Sequence, residues 1–270
     1  RVLDVSHYYM YSSQFGQLGS EEPYRAAAMR PFLKDIPFSD IRDRNILTIA
    51  IYSNGKYPLQ FMDTIELGPS DAIYVRYAYR EVAAFALLAL YAVMGAYHLL
   101  LFVRRPRDLH NLYFGLFTIA IATYWFIANT TIRDVLFQDY VELHRKLEHM
   151  VLFLLPAFFI NFLTTFFEKL HLRLGLIYLA FLLAIFVITA FSPLWVMRIC
   201  RDTYYVTLLL LAGYTIYYLA RRARQGNRDA LYLGAAVGVC IIGTSYDIAR
   251  SIGLIQTPAL GSLSMLAFVT

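Results

Sequence analysis

Charge is scarce in this chain. Only 16% of its 270 residues are Asp, Glu, Lys or Arg, against about 25% in an ordinary soluble domain. With 59% hydrophobic content beside that shortage, a soluble enzyme, a disordered linker and a nucleic-acid-binding module are excluded as descriptions of the whole. The two cysteines, Cys200 and Cys240, cannot build a disulfide framework and leave the redox compartment unread. No initiator Met and no charged-then-apolar leader opens the sequence. It stops inside an apolar run, Leu266 to Thr270. The expectation is a piece of a longer protein, open at both ends. Glycine-rich phosphate loops, a nucleophile elbow and cysteine-pair metal patterns are all missing. The sequence therefore offers no catalytic residue, metal ligand set or cofactor.

The charge that is present is unevenly placed. Residues 1–81 hold 9 Lys/Arg against 10 Asp/Glu, and residues 82–270 hold 15 against 9. Two regions are expected on that basis: a water-facing 1–81 and a greasy 82–270 with basic punctuation. Seven apolar stretches follow Glu81. They run over 82–103, 112–128, 147–167, 174–191, 203–220, 230–249, and from 259 to the last residue. At about 1.5 Å per residue the first spans the roughly 30 Å hydrocarbon core, whereas the visible part of the seventh covers only about 18 Å. In lipid each segment must satisfy its own backbone, so these are expected to be helices. The fold class expected is a membrane all-α, seven-helix bundle with its last helix truncated, preceded by a partial β-sandwich.

Orientation follows from Lys and Arg in the short loops. Arg104, Arg105, Arg107, Lys169, Arg173, Arg221, Arg222, Arg224 and Arg228 lie on one side; Arg133, Arg145, Lys146, Arg198, Arg201 and Arg250 lie on the other. The tight clusters share the first side, which the positive-inside rule makes cytoplasmic. Residues 1–81 are then outside, and the end of the seventh helix points inward. Trp125, Trp195, Tyr204 and Tyr205 sit where interfacial anchors are expected.

Residues 1–81 carry strand signals. Asn45–Tyr52 alternates apolar and polar residues, Ser53-Asn54-Gly55-Lys56 supplies a turn, and Leu59–Leu67 offers a partner strand. Asp71–Tyr79 alternates again, and Val2–Tyr11 is a weaker strand. So few strands cannot bury two faces, so the C-terminal half of a β-sandwich is expected.

Three runs carry a family likeness: RNILTIAIYSNGKYPLQFMDTIELGPSD, YHLLLFVRRPRDLHNLYFGLFTIAIATYWF and SYDIARSIGLIQTP. The first resembles the last strands of an extracytoplasmic jelly-roll sensor domain. The others resemble the first two helices and the sixth-helix end of the bacterial seven-transmembrane receptors with diverse intracellular signalling modules. The resemblance implies a bacterial inner-membrane receptor. Its jelly-roll, similar to carbohydrate-binding modules, meets a small extracytoplasmic ligand, carbohydrate being the candidate class. Its helices then drive a C-terminal cytoplasmic module in cis: a histidine kinase, a cyclase or a phosphatase. No catalytic residue maps onto the membrane region, and this stretch is expected not to be an enzyme. The bilayer is its expected partner, nucleic acid is not, and a homodimer stays open.

Four membrane residues stand out as candidates for signalling or for packing. Asp247 is the one acid deep in an apolar run, with Arg250 three residues on to pair with it. Pro156 removes a backbone donor midway along the third stretch, either as a static kink or as a hinge. Asn161 can hydrogen-bond across to a neighbouring helix. His144, Glu148 and His149 lack zinc-protease spacing and read as an outer-surface amphipathic segment. His98 reads as a packing or interfacial residue. Gly234 and Gly238 form a small-xxx-small motif expected to bring helices close. The ligand-binding residues are unassigned, although Tyr57 and Phe61 carry rings suited to a sugar.

A receptor is the leading expectation, because Tyr79-Arg80-Glu81 leaves little slack between the outer region and the first span. The alternative is a transporter or channel, which calls for charges or broken helices at mid-membrane. Apart from Asp247 the spans carry no such charge. An intramembrane enzyme would need a converging acid–base pair, and a light-driven pump a lysine in the last helix. Neither is seen.

Overall fold

The computed structural model describes residues 5–10, 13–18, 47–52, 68–129, 132, 136–137, 140–167 and 172–251. The expected seventh span, the partner strand Leu59–Leu67, and Tyr57 and Phe61 lie outside them. The chain divides into two compact units, residues 1–194 and 195–270.

In the first unit, β1 (Val5–Met10), β2 (Ser13–Leu18) and β3 (Leu47–Tyr52) form an antiparallel sheet in the order β2-β1-β3. Val5 faces Tyr52 and Met10 faces Leu47, while a register shift at Tyr8/Tyr9 interrupts the β1–β2 pairing. The strands expected over Asn45–Tyr52 and Val2–Tyr11 are present. Ser13–Leu18 was not anticipated. Among the described residues there is this one sheet and no second sheet facing it, so the expected β-sandwich is not seen.

The segment Asp71–Tyr79, expected as a strand, is helical. It is the first part of α1 (Ser70–Arg104), which runs 35 residues without a break. Nucleation is the costly step in helix formation, and each further residue adds a hydrogen bond cheaply. A membrane-length helix therefore propagates toward its N-terminus until something stops it. No proline or glycine stands between Ser70 and Met94. Pro69, at the N-cap, ends the run, and its carbonyl accepts the Ile73 N–H at 3.1 Å.

Three more helices complete this unit: α2 (Leu109–Asn129), α3 (Val141–Phe166) and α4 (Leu172–Phe191). Each packs on its predecessor in the chain. A tight turn joins α1 to α2: Arg105 N–H donates to Leu101 O at 2.9 Å, and Asp108 N–H to Arg105 O at 3.0 Å. The second unit contains α5 (Leu194–Arg224) from its second residue on, and α6 (Arg228–Ser251). Between them Gly226 adopts φ 84°, the left-handed conformation glycine supplies without a Cβ penalty. Asn227 Oδ1 then caps α6 by accepting the Ala230 N–H at 3.0 Å.

Helices α1, α2, α3 and α5 are long and apolar enough to cross a membrane, and α4 carries a shorter apolar stretch over Gly175–Phe191. Their cover differs. Of the apolar window of α1 11% is buried, against 56% for α3. Leu209 and Leu210 of α5 are likewise open. Apolar surface on this scale is stable only against lipid or further protein.

Candidate functional site

Polar residues of the first unit meet at several places between its helices. At the α1–α2 turn, His98 Nδ1 lies 2.9 Å from Asn111 Oδ1, and Asn111 Nδ2 lies 3.2 Å from His110 Nε2. An amide oxygen only accepts and an amide nitrogen only donates. Asn111 can thus accept from one imidazole and donate to the other. Asn111 is buried. His98 packs edge-on against Phe114 at 4.5 Å, and His110 against Phe166 of α3 at 6.0 Å. The packing role expected for His98 is the one observed.

Toward its other end the same helix pair is fastened by Trp125, whose Nε1–H donates to Ala84 O at 3.0 Å. Trp125 thus holds α2 to α1, which the reading as an interfacial anchor did not foresee. Between these fastenings the two backbones nearly touch. A Cβ on Gly95 would lie 2.6 Å from Ile119 Cγ1 and 2.9 Å from Thr118 Oγ1; a Cβ on Gly115 would lie 2.8 Å from Leu99 Cγ and 3.1 Å from Gly95 O. Thr118 Oγ1 is itself held by Phe114 O and Gly115 O at 3.0 and 3.1 Å. Phenylalanines continue the packing from α2 to α3, with Phe114 at 5.2 Å from Phe162 and Phe117 at 5.5 Å from Phe159.

A further place is the α3–α4 contact. Pro156 is buried inside α3, and the helix runs through it to Phe166. Five residues on, Asn161 is completely buried. Its Nδ2 donates to Ala157 O at 2.8 Å in its own helix and to Gly175 O of α4 at 3.3 Å. The cross-helix bond anticipated for Asn161 is therefore made. Its Oδ1 has no hydrogen-bond partner, and a Cβ on Gly175 would stand only 2.9 Å from it. The missing side chain of Gly175 is what lets the amide in. Thr164 and Thr165 both donate to Asn161 O at 2.8 Å.

Several expectations are corrected. His144 is buried rather than on an outer surface, because its Nε2 lies 3.1 Å from Ile127 O and its ring faces Phe137. Tyr204 is buried, whereas its neighbour Tyr205 is exposed beneath Arg201 at 6.0 Å. Gly234 has its nearest neighbour, Leu219 Cβ, at an ordinary 3.6 Å, and Gly238 has nothing within 4 Å. Close approaches are found instead at Gly95, Gly115 and Gly175. Asp247 and Arg250 lie on α6 in the second unit; their side chains, and any pairing between them, fall outside the described residues. No group of three metal-ligating side chains occurs among the described residues.

Among the described residues, amide and imidazole groups join adjacent spans. Residues 80–270 match the family described as 7TM diverse intracellular signalling. The chain belongs to that family. It is a multi-pass membrane signalling domain, and the lipid bilayer is its partner. Searches of curated proteins and of solved structures return no match to this 7TM signalling chain.

Proposed function

We propose that this chain is the membrane relay of a bacterial inner-membrane receptor. A small ligand, carbohydrate being the first class to test, binds outside the membrane to a domain that includes residues 1–69. The helices carry the change inward to a C-terminal output module with kinase, cyclase or phosphatase activity. The relay itself is non-catalytic. In this reading residues 1–69 belong to a jelly-roll, residues 259–270 begin the seventh span, and the clusters at Arg104 and Arg221 face the cytoplasm.

The observation that carries the proposal is the continuity of α1. At 1.5 Å per residue its 35 residues extend about 52 Å. Its charge-free part, Val82–Val103, suffices for a core of about 30 Å. The segment from Ser70 to Glu81, with Arg76, Arg80 and Glu81, then projects as a rigid continuation of the span. A rigid rod passes displacement on, whereas a flexible linker absorbs it.

The test is a Gly-Ser-Gly-Ser insert after Arg80 in the full-length protein. Ligand binding should persist while output no longer responds to it; an unaltered response would refute the mechanism. Single cysteines at Arg104 and Gly226 should react with an impermeant maleimide only after the cells are opened. Reconstituted liposomes should show no solute flux, since flux would favour a channel or carrier.

A further inference from the structure

The face of α1 turned away from α2 follows a rule of its own. Stepping alternately by four and three residues from Val75 gives Tyr79, Val82, Ala86, Ala89 and Val93, then Ala96, Leu100 and Val103. Every one of these nine positions is exposed. The six larger residues, Val75, Tyr79, Val82, Val93, Leu100 and Val103, are 54–73% exposed. The residues buried against α2, Ala84, Tyr91 and Gly95, lie about 160–200° around the helix from this stripe, at 100° per residue.

A repeat of 3.5 residues sustained over four heptads is the seam of a left-handed two-helix coil. A stripe at 3.6 residues per turn would drift away from a partner. Inside the hydrocarbon core, Ala86, Ala89 and Ala96 leave room for the close backbone approach on which membrane helix pairs depend. Outside it, lipid cannot cover Val75 and Tyr79. There Asp71, Arg76, Arg80 and Glu81 all fall off the seam, as charges do in a soluble coiled coil. Nine side chains exposed to this degree offer on the order of 800 Å² per copy, the share each partner gives to a standard stable interface.

We propose that the occupant of this face is α1 of a second copy of the chain, packed in parallel along the seam. Two receptors would then share their first helices from the outer segment to the inner turn. The interface stands apart from ligand and output, so its test is independent of the receptor reading.

In the full-length protein with Cys200→Ser and Cys240→Ser, single cysteines are placed at Val82, Ala86, Ala89 and Val93. Controls are placed off the seam at Phe85, Leu88 and Ala92. Oxidation in native membranes should give disulfide-linked dimers at the four seam positions, about tenfold above the controls, the ratio that 1.4 kcal/mol of preference represents. Ala89→Phe should lower the dimer fraction in native mass spectrometry by a similar factor. Cross-linking that is absent, that shows no 3.5-residue period or that peaks at the controls overturns the proposal. So does a dimer fraction indifferent to Ala89→Phe. The face would then be left to lipid or to another part of the same chain.

Discussion

Gly175→Ala should weaken the membrane domain, and the damage should vanish once Asn161 is shortened. The new Cβ would stand 2.9 Å from Asn161 Oδ1, closer than real contacts allow. Asn161 cannot simply turn aside, because its amide is bonded to Ala157 O and Gly175 O. Relief must come from separating α3 and α4 by a few tenths of an ångström, which breaks the bond already at 3.3 Å. Overpacking costs about 1–3 kcal/mol. Losing an interhelical bond in a membrane costs about 0.6–1.7 kcal/mol. Alanine returns about 1 kcal/mol in helix propensity. The expected net loss is about 2 kcal/mol. In an Asn161→Ala background both costs disappear and the propensity gain remains, so the same substitution should be neutral or stabilising. The coupling energy is then about 2–3 kcal/mol. Denaturation in detergent micelles, followed through the fluorescence of Trp125 and Trp195, measures the four corners of the cycle. Losses that add to within about 0.5 kcal/mol would mean that the two residues do not meet as described.

Other glycines should respond with opposite signs. Gly95→Ala and Gly115→Ala should each destabilise by about 1–3 kcal/mol. Gly213→Ala and Gly238→Ala, with nothing within 4 Å, should gain up to about 1 kcal/mol in the same assay. Asn111→Leu strands His98 and His110 without partners at the α1–α2 turn and should cost about 1–3 kcal/mol. Asn111→Asp, which keeps an acceptor for His98, should recover part of that loss. Trp125→Phe retains the ring but removes the donor to Ala84 O, and should cost up to about 1.7 kcal/mol.

The hydropathy of the sequence located each described span, but not its length. The apolar run 147–167 became Val141–Phe166 and 203–220 became Leu194–Arg224. Helical hydrogen bonding continues past the hydrocarbon boundary through residues such as Glu142 and Lys146, which pair at 3.4 Å, whereas apolarity ends there. Asp71–Tyr79 misled for a related reason. Its alternation is that of a strand, but a helix already nucleated in the membrane overrides so short a pattern. Asn161 was legible as a polar residue in an apolar helix; its need for Gly175 was not, because that depends on which helices are neighbours. The glycine contacts of α1 and α2 had a usable signal. Gly95 and Gly115 are the single glycines of their helices, and small residues favour interfaces in lipid. Gly234 and Gly238 drew attention instead because they form a motif. Nothing in the sequence set Asn111 against His98, thirteen residues away in the chain, since that contact exists only once the turn has folded.

The fastening of α1 to α2 has a consequence for motion. Bonded at Ala84, interlocked at Gly95 and bonded again at Asn111, the two spans have no free length over which one could slide along the other. A pull on Ser70 must arrive at Asp108 as a tilt or turn of a double beam. Against α3 the bearing is of another kind: phenylalanine rings, with one buried contact from His144 to the Ile127 carbonyl.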